Sequence, residues 1–187
     1  MKVIMYYSIH SKTLRVREPV TRSRGKVRGQ FPSHKMSRMI AWESQLERRA
    51  CYLFEFSSGV VSFREQPIKF FIPFLGQIKR YTPDFELILE SGEVCYVEIK
   101  PKLKLEHAEN KSFFEAVSKE LKNSGYLYII ITEEELIHPI RERNLTLLRN
   151  YLSQPLPQRQ IDLALVWLAN SVTNCIFGDL IHTTGSL

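Results

Sequence analysis

The stretch at residues 81–100 reads YTPDFELILESGEVCYVEIK and has the pattern of two β-strands joined by a tight turn. Apolar residues alternate with other residues on both sides of a Ser-Gly dipeptide at 91–92, which supplies the reversal. Asp84 opens the first strand. Glu98 and Lys100 close the second, and their spacing of two places them on one face. Pairing across the turn therefore predicts that Asp84 lies near Glu98.

Two carboxylates with a lysine beside them form a set suited to metal-assisted cleavage of a phosphodiester. Carboxylate oxygens are ligands that Mg²⁺ prefers, and the bound ion activates water and offsets developing negative charge. Lys100 is a compact cation that can orient the water or stabilise the pentacoordinate state. The alternative is that these charged residues lie on an exposed edge of the hairpin and serve only to prevent aggregation. The apolar runs that flank Asp84 and Glu98 favour the site over this alternative.

Length and composition indicate a chain with a substantial core. It has 187 residues, of which 44% are hydrophobic and 11% aromatic, enough for one domain with a small appendage. No run of eighteen apolar residues occurs, so we predict no transmembrane helix and no membrane partner. The N-terminus lacks the pattern of a secretory signal. Three scattered cysteines predict neither a disulfide framework nor a zinc site, which favours the cytoplasm.

Positive charge is concentrated near the N-terminus. Residues 1–40 hold ten Lys or Arg and one acid, a net +9, which leaves −3 on the other residues because the whole chain carries +6. A basic arm can neutralise DNA phosphates, and a solvated tail is the alternative. The basic residues predicted to contact DNA are Arg22, Arg24, Lys26, Arg28, Lys102 and Lys104.

Hydrophobic periodicity predicts an α/β fold with a mixed central sheet. The elements expected are a helix at 38–56, strands at 60–64 and 68–73, a run from 79 into the hairpin at 81–100, a helix at 109–122, a strand at 126–132 buried on both faces, and helices after 133 and at 160–171. Ser44 and Glu47 also fit a capping box, in which case the first helix starts at Ser44. The predicted division is a basic arm (1–39) that is extended or loop-like, a catalytic core (40–132) and a small helical subdomain (133–187).

Four motifs in this order resemble the TnsA family, the endonuclease subunits of heteromeric transposases, including those of CRISPR-associated transposons. They are S-Q-L-E at 44–47, R-E-Q-P at 64–67, Y-T-P-D-F at 81–85 and V-E-I-K-P at 97–101, and the last two also match the PD-(D/E)xK nuclease motif. The resemblance covers roughly residues 40–132. It implies a core like that of restriction endonucleases, flanked by helices, with a small helical part after it.

The resemblance also implies roles for individual residues. Glu47, Asp84, Glu98 and Lys100 match the catalytic positions, and the metal ligands would be Glu47, Asp84, Glu98 and the peptide carbonyl of Ile99. Some members carry Gln at the position of Glu98. The expected cofactor is Mg²⁺, with Mn²⁺ able to substitute.

The function implied is cleavage of the 5′, non-transferred strand at transposon ends during cut-and-paste transposition. The expected partners are double-stranded DNA, a TnsB-like transposase and a TnsC-like AAA+ regulator. A stand-alone PD-(D/E)xK nuclease that restricts DNA or resolves junctions is one alternative. A non-catalytic DNA-binding assembly subunit is another, and the intact set of four site residues argues against it.

Overall fold

The structure is a computed structural model that describes residues 27–152, 158–159 and 162. Its strands are β1 Gly29–Ser33, β2 Arg38–Trp42, β3 Val60–Glu65, β4 Phe70–Phe74, β5 Gln77–Tyr81, β6 Phe85–Leu89, β7 Val94–Ile99 and β8 Leu127–Ile131. Its helices are α1 Gln45–Phe56, α2 Lys102–Leu105, α3 Ala108–Asn123, α4 Glu133–Leu136 and α5 Pro139–Tyr151. The predicted α/β class is confirmed.

The central sheet has four strands in the order β3-β6-β7-β8. β6 is antiparallel to both β3 and β7, and β8 runs parallel to β7, so the sheet is mixed as predicted. β6 and β7 are the hairpin predicted at residues 81–100. The parallel step from β7 to β8 requires a crossover connection, and α3 supplies it.

Two apolar cores lie against the sheet. One joins α1 to the sheet through Phe54, Phe63 and Phe85, whose rings meet edge to face. The other joins α3 to the β4–β5 hairpin and to β7, with Phe70, Tyr96 and Val117 among its buried members. Together they give the layering of a sheet flanked by helices that the sequence predicted.

A β-hairpin occupies residues that the sequence assigned to the end of a loop-like arm and the start of a helix. β1 and β2 pair antiparallel, and Phe31 and Ile40 bury themselves in the core beneath α1. Buried Glu55 of α1 accepts hydrogen bonds from Ser33 Oγ and from the backbone N–H groups of His34 and Lys35. The expectation of a helix from residue 38 was wrong, because contacts distant in sequence hold this hairpin, and the described end of the arm expected to be extended or loop-like is a paired strand from Gly29 to Ser33.

The first helix starts where the capping motif, rather than the periodicity, placed it. Ser44 is the N-cap, and its side chain accepts from the N–H of Glu47 at 3.1 Å. The Glu47 carboxylate accepts from the N–H of Glu43 at 2.7 Å, not from that of Ser44 as a capping box requires. The carboxylate is thereby held at the N-terminal end of α1.

The strand predicted to be buried on both faces lies at the edge of the sheet as described. In β8, Leu127 is 39% exposed and Ile129 43% exposed. Tyr128 and Ile130, on the opposite face, pack against the core beneath α3. A short apolar run predicts a strand well, but it does not distinguish an edge position from a central one.

Later elements follow the expected order. α3 extends the predicted helix at 109–122 by one residue at each end, and α4 and α5 are the helical region predicted from residue 133. The helix predicted at 160–171 lies outside the described residues apart from position 162. Contacts divide the chain into a compact unit up to Thr146 and a second from Leu147. The predicted boundaries at 39/40 and 132/133 stay predictions.

Among the described glycines, Gly29 is the one at which an added Cβ would come closest to a core side chain. A Cβ built at Gly29 would lie 2.3 Å from a ring carbon of Trp42, which is buried in the core. We expect Gly29→Ala to lower the free energy of unfolding by about 2 kcal/mol, because the indole must move within a packed core. Gly59→Ala, where the added methyl meets open space, is the control and should change it little in urea denaturation. Equal losses would contradict the crowding.

Candidate active site

The register of the β6–β7 pair brings Asp84 and Glu98 together. Phe85 lies opposite Val97, so Asp84 and Glu98 occupy the next position along the two strands. Asp84 Oδ2 accepts a hydrogen bond of 2.8 Å from the backbone N–H of Ile99. The proximity predicted from the sequence is confirmed, and a backbone contact fixes the Asp84 carboxylate.

Glu98 is almost fully buried, with 3% of its surface exposed, and both of its oxygens have partners. Lys100 Nζ lies 2.6 Å from Oε1, and the Tyr81 hydroxyl donates to Oε2 at 2.8 Å. The ammonium of Lys100 also lies over the Phe114 ring, 5.6 Å from its centroid. A buried carboxylate must be paired or hydrogen-bonded, and here both conditions are met.

Electrostatics links the third carboxylate to the pair. Burial raises the pKa of Asp84 well above its ordinary value, and the charges of Glu98 and then Glu47 raise it further. Burial likewise raises the pKa of Glu47, to which the charges of Glu43 and Glu98 add. The helix and the hairpin thus place three acidic groups within range of one another.

Lys100 is the cation of this cluster. Burial acts to lower its pKa, but attraction to Glu98, and then to Asp84 and Glu47, leaves the pKa of Lys100 above its usual value. One ammonium faces three carboxylates, so a cluster with all four groups ionised carries excess negative charge. A bound divalent cation would offset that excess.

The donor set fits Mg²⁺ in its chemistry, because Mg²⁺ prefers hard oxygen ligands such as carboxylates. In the described part of the chain, no three Asp, Glu, His or Cys side chains already converge as the ligands of one ion. Each carboxylate is instead held by hydrogen bonds of its own, to Glu43 for Glu47, to Ile99 for Asp84, and to Tyr81 and Lys100 for Glu98.

Glu65 and Gln66, the two central residues of the R-E-Q-P motif, lie beside the site, and their side chains differ in their hydrogen-bond partners. Arg38 holds the buried Glu65 carboxylate at 3.0 and 2.7 Å, and the N–H of Ala41 donates to it at 3.1 Å. Glu65 therefore ties β2 to β3. Gln66 donates its backbone N–H to the carbonyl of Asp84 at 2.8 Å, with a positive φ of 42°. Its buried Oε1 has no hydrogen-bond partner among the described residues.

The residues predicted to bind DNA are only partly described. Arg22, Arg24 and Lys26 lie outside the described residues, and Arg28 is half-buried. Lys102 is exposed, but it pairs with Glu134 at 2.7 Å. Lys104 is exposed near the start of the connection to α3. Their contact with DNA stays a prediction.

Sequence reasoning gave no role to the tyrosine that holds Glu98 or to the second tyrosine that contacts its hydroxyl. Tyr81 comes from β5 and Tyr128 from β8, and their hydroxyls lie 3.1 Å apart. Because Tyr81 gives its proton to Glu98, Tyr128 must be the donor between them. Tyr81 stands in a quoted motif, yet nothing in a linear pattern shows which carboxylate its hydroxyl meets.

Removing the Tyr81 hydroxyl measures its contribution to the free energy of unfolding. We expect Tyr81→Phe to lower the free energy of unfolding by about 2 kcal/mol, because a buried carboxylate loses a donor. Tyr128→Phe should cost about 1 kcal/mol, since it removes only a neutral hydrogen bond. Urea denaturation of both variants checks this, and a larger loss for Tyr128→Phe would contradict the assignment of Tyr81 as the donor to Glu98.

Residues 57–133 match the family described as TnsA-like endonuclease N terminal. This stretch, which is less than half of the chain, is similar to a TnsA-like endonuclease domain. The match contains Asp84, Glu98 and Lys100, whereas Glu47 precedes it. No curated protein matches the sequence.

The TnsA-like domain supports the coarse functional assignment. The match indicates a nuclease of DNA transposition, and it implies DNA as the substrate and a transposase system as the setting. The mixed sheet and its flanking helices are consistent with the restriction-endonuclease-like core expected for the family. Across the described residues, no helix has the length and hydropathy needed to cross a bilayer.

Proposed function

We propose that this protein is a Mg²⁺-dependent endonuclease subunit that cleaves the 5′, non-transferred strand at transposon ends. The observation that carries the proposal is that Asp84, Glu98 and Lys100 lie together where β6 begins and β7 ends, within electrostatic range of Glu47. These three residues lie inside the stretch that is similar to a TnsA-like endonuclease domain.

The roles proposed for the residues follow from their chemistry. Asp84, Glu98, Glu47 and the carbonyl of Ile99 would hold Mg²⁺, which, when bound, neutralises charge on the phosphate and favours ionisation of water. Mn²⁺ would substitute. Lys100 holds its ammonium against Glu98 and close to the carboxylates, where it can orient the attacking water. Tyr81 keeps Glu98 in place while the hydrogen bond from Ile99 keeps Asp84 in place.

The partners proposed are a TnsB-like transposase, which would join the other strand, and a TnsC-like AAA+ regulator. Both partners are proposed because the TnsA-like domain implies a transposase system. The protein would act in the cytoplasm on the nucleoid. A nuclease of the same superfamily that cuts without partners is the competing function.

Nicking of a labelled transposon-end duplex tests this function. Wild-type protein and Asp84→Ala are compared with Mg²⁺ or EDTA, each with and without the transposase encoded by the same element. We expect 5′-strand nicking that needs Mg²⁺ and the transposase and that Asp84→Ala abolishes. Equal cutting without the transposase favours the stand-alone nuclease. DNA that is bound but uncut by both proteins would overturn catalysis and leave an assembly subunit.

A further inference from the structure

The β4–β5 hairpin is a two-stranded sheet of its own that starts and ends at the candidate active site. The chain leaves the central sheet after β3 at Gln66 and re-enters it at Asp84. The hydrogen bond from Gln66 N–H to the Asp84 carbonyl, 2.8 Å long, closes the base of this excursion. Anything that binds the hairpin near its base is therefore close to Asp84.

The two faces of the hairpin differ. One face carries Phe70, Phe74 and Tyr81, which are buried. The rings of Phe74 and Tyr81 lie against aromatic rings of α3, and the ring of Phe70 lies against that of Tyr96 in β7. The other carries the cross-strand pairs Phe71–Arg80 and Pro73–Ile78. On this outer face Arg80 and Pro73 are exposed and Ile78 is 61% exposed. The outer face therefore combines apolar surface with positive charge.

All the charged residues of the β4–β5 hairpin are basic. Residues 69–81 include three basic residues and no acidic one. Lys79 is engaged by its own fold, because its ammonium lies 4.6 Å from the centroid of Phe74 and pairs with Glu109. Lys69 and Arg80 have no carboxylate partner among the described residues. Two cationic groups are thus available to an anionic ligand.

The tip of the hairpin is unusual. Leu75 and Gly76 both have positive φ, 49° and 74°, which is the conformation of a type I′ turn. Asparagine or glycine is the residue such a turn favours at its first position, and a leucine there is strained. Leu75 is also 82% exposed, so burial does not offset the strain. An apolar side chain that the fold leaves exposed is suited to burial against a binding partner.

We propose that the β4–β5 hairpin docks duplex DNA beside the bond to be cut. Lys69 and Arg80 contact backbone phosphates, and Leu75 enters the minor groove as an apolar wedge. Charge complementarity and the direct connection to Asp84 favour DNA over a protein partner as the occupant. This inference rests on the proposed function, since it assigns the substrate-binding surface of the same site.

Salt-dependent DNA binding by the full chain tests the phosphate contacts. Fluorescence anisotropy with a labelled transposon-end duplex in EDTA measures affinity while no strand is cut. For Lys69→Gln/Arg80→Gln we expect affinity to fall about tenfold. The slope of log affinity against log salt should become shallower by about one for each cation removed. Lys119→Gln/Lys122→Gln, which neutralises two exposed lysines of α3, is the matched control and should keep the wild-type slope.

Leu75→Asn tests the wedge in a way that misfolding cannot imitate. Asparagine relieves the strain of the turn, so the thermal midpoint should stay equal or rise. Affinity for the duplex should nevertheless fall several-fold with an unchanged salt slope, because an uncharged contact is lost. A wild-type affinity for Leu75→Asn would overturn the wedge.

The outcomes separate the two proposals. If the cation variant matches the α3 control while Asp84→Ala still abolishes nicking, the docking proposal fails and the endonuclease function stands. If hairpin variants bind DNA normally but lose only the response to the transposase, the hairpin is a protein contact and the proposal is overturned. Wild-type protein that neither binds nor cuts the duplex would overturn both.

Discussion

Replacing Asp84 by Asn is expected to reduce nicking on the order of 10³-fold while making the protein more stable. Activity falls because an amide is a poor ligand for a divalent ion and no longer completes the acidic cluster. The fold should survive, since the asparagine Oδ1 can still accept the hydrogen bond from Ile99. Single-turnover cleavage of the labelled duplex with the transposase present measures the loss.

The gain in stability has an electrostatic origin. Burial, Glu98 and Glu47 hold the pKa of Asp84 well above its ordinary value, so an ionised Asp84 destabilises the folded state at neutral pH. Removing that charge should raise the free energy of unfolding on the order of 1 kcal/mol without a divalent ion. Glu90→Gln, at an exposed position after β6, is the control and should leave stability unchanged.

Added Mg²⁺ gives an independent readout of the same assignment. An ion that binds only the folded state raises the thermal midpoint, and a tighter-binding ion raises it more at a given concentration. We expect Mg²⁺ to raise the midpoint of the wild type and of Glu90→Gln, but much less that of Asp84→Asn. An equal rise in all three proteins would show that Asp84 does not hold the ion.

Glu65→Ala should be the most destabilising single change near the site, lowering the free energy of unfolding by about 3 kcal/mol. The Glu65 carboxylate accepts two hydrogen bonds from Arg38 and one from the N–H of Ala41, and it is 95% buried. Its loss leaves the Arg38 side chain, only 19% exposed, without a carboxylate partner. Urea denaturation measures the effect.

A second arginine–glutamate pair provides the control. Arg64 and Glu86 form a similar two-bond contact, but the Arg64 side chain is 35% exposed. Because water can replace the lost partner, Glu86→Ala should cost about 1 kcal/mol. The double change Arg38→Met/Glu65→Met should recover much of the loss, since no unpaired charge is then buried. If Glu86→Ala costs as much as Glu65→Ala, burial is not the cause.

Glu65→Ala also separates a structural role from a metal-binding one. At temperatures where the variant is folded, its nicking should keep the wild-type dependence on Mg²⁺ concentration, because Arg38 and Ala41 already engage the carboxylate. A large rise in the Mg²⁺ concentration needed for half-maximal nicking would place Glu65 among the ligands.

The amino-acid sequence by itself determined the hairpin at 81–100, the strands β3, β4 and β8 with the helix α3, and the closeness of Asp84 to Glu98, but neither the short helix α2 nor the separation of β5 from β6. These features depend on short-range patterns, namely alternation along a strand, a turn dipeptide between two strands and a helical period in α3. The four motifs were enough to indicate the family.

Only the tertiary structure decided which partners hold each group. Tyr81 reaches Glu98 from a different hairpin, Arg38 reaches Glu65 across 27 positions, and Glu55 holds a turn more than twenty residues before it. The edge position of β8 and the exposure of Leu75 likewise depend on which elements lie beside them. Short-range sequence patterns do not specify such contacts, because the free energy that selects them arises only when distant segments pack together.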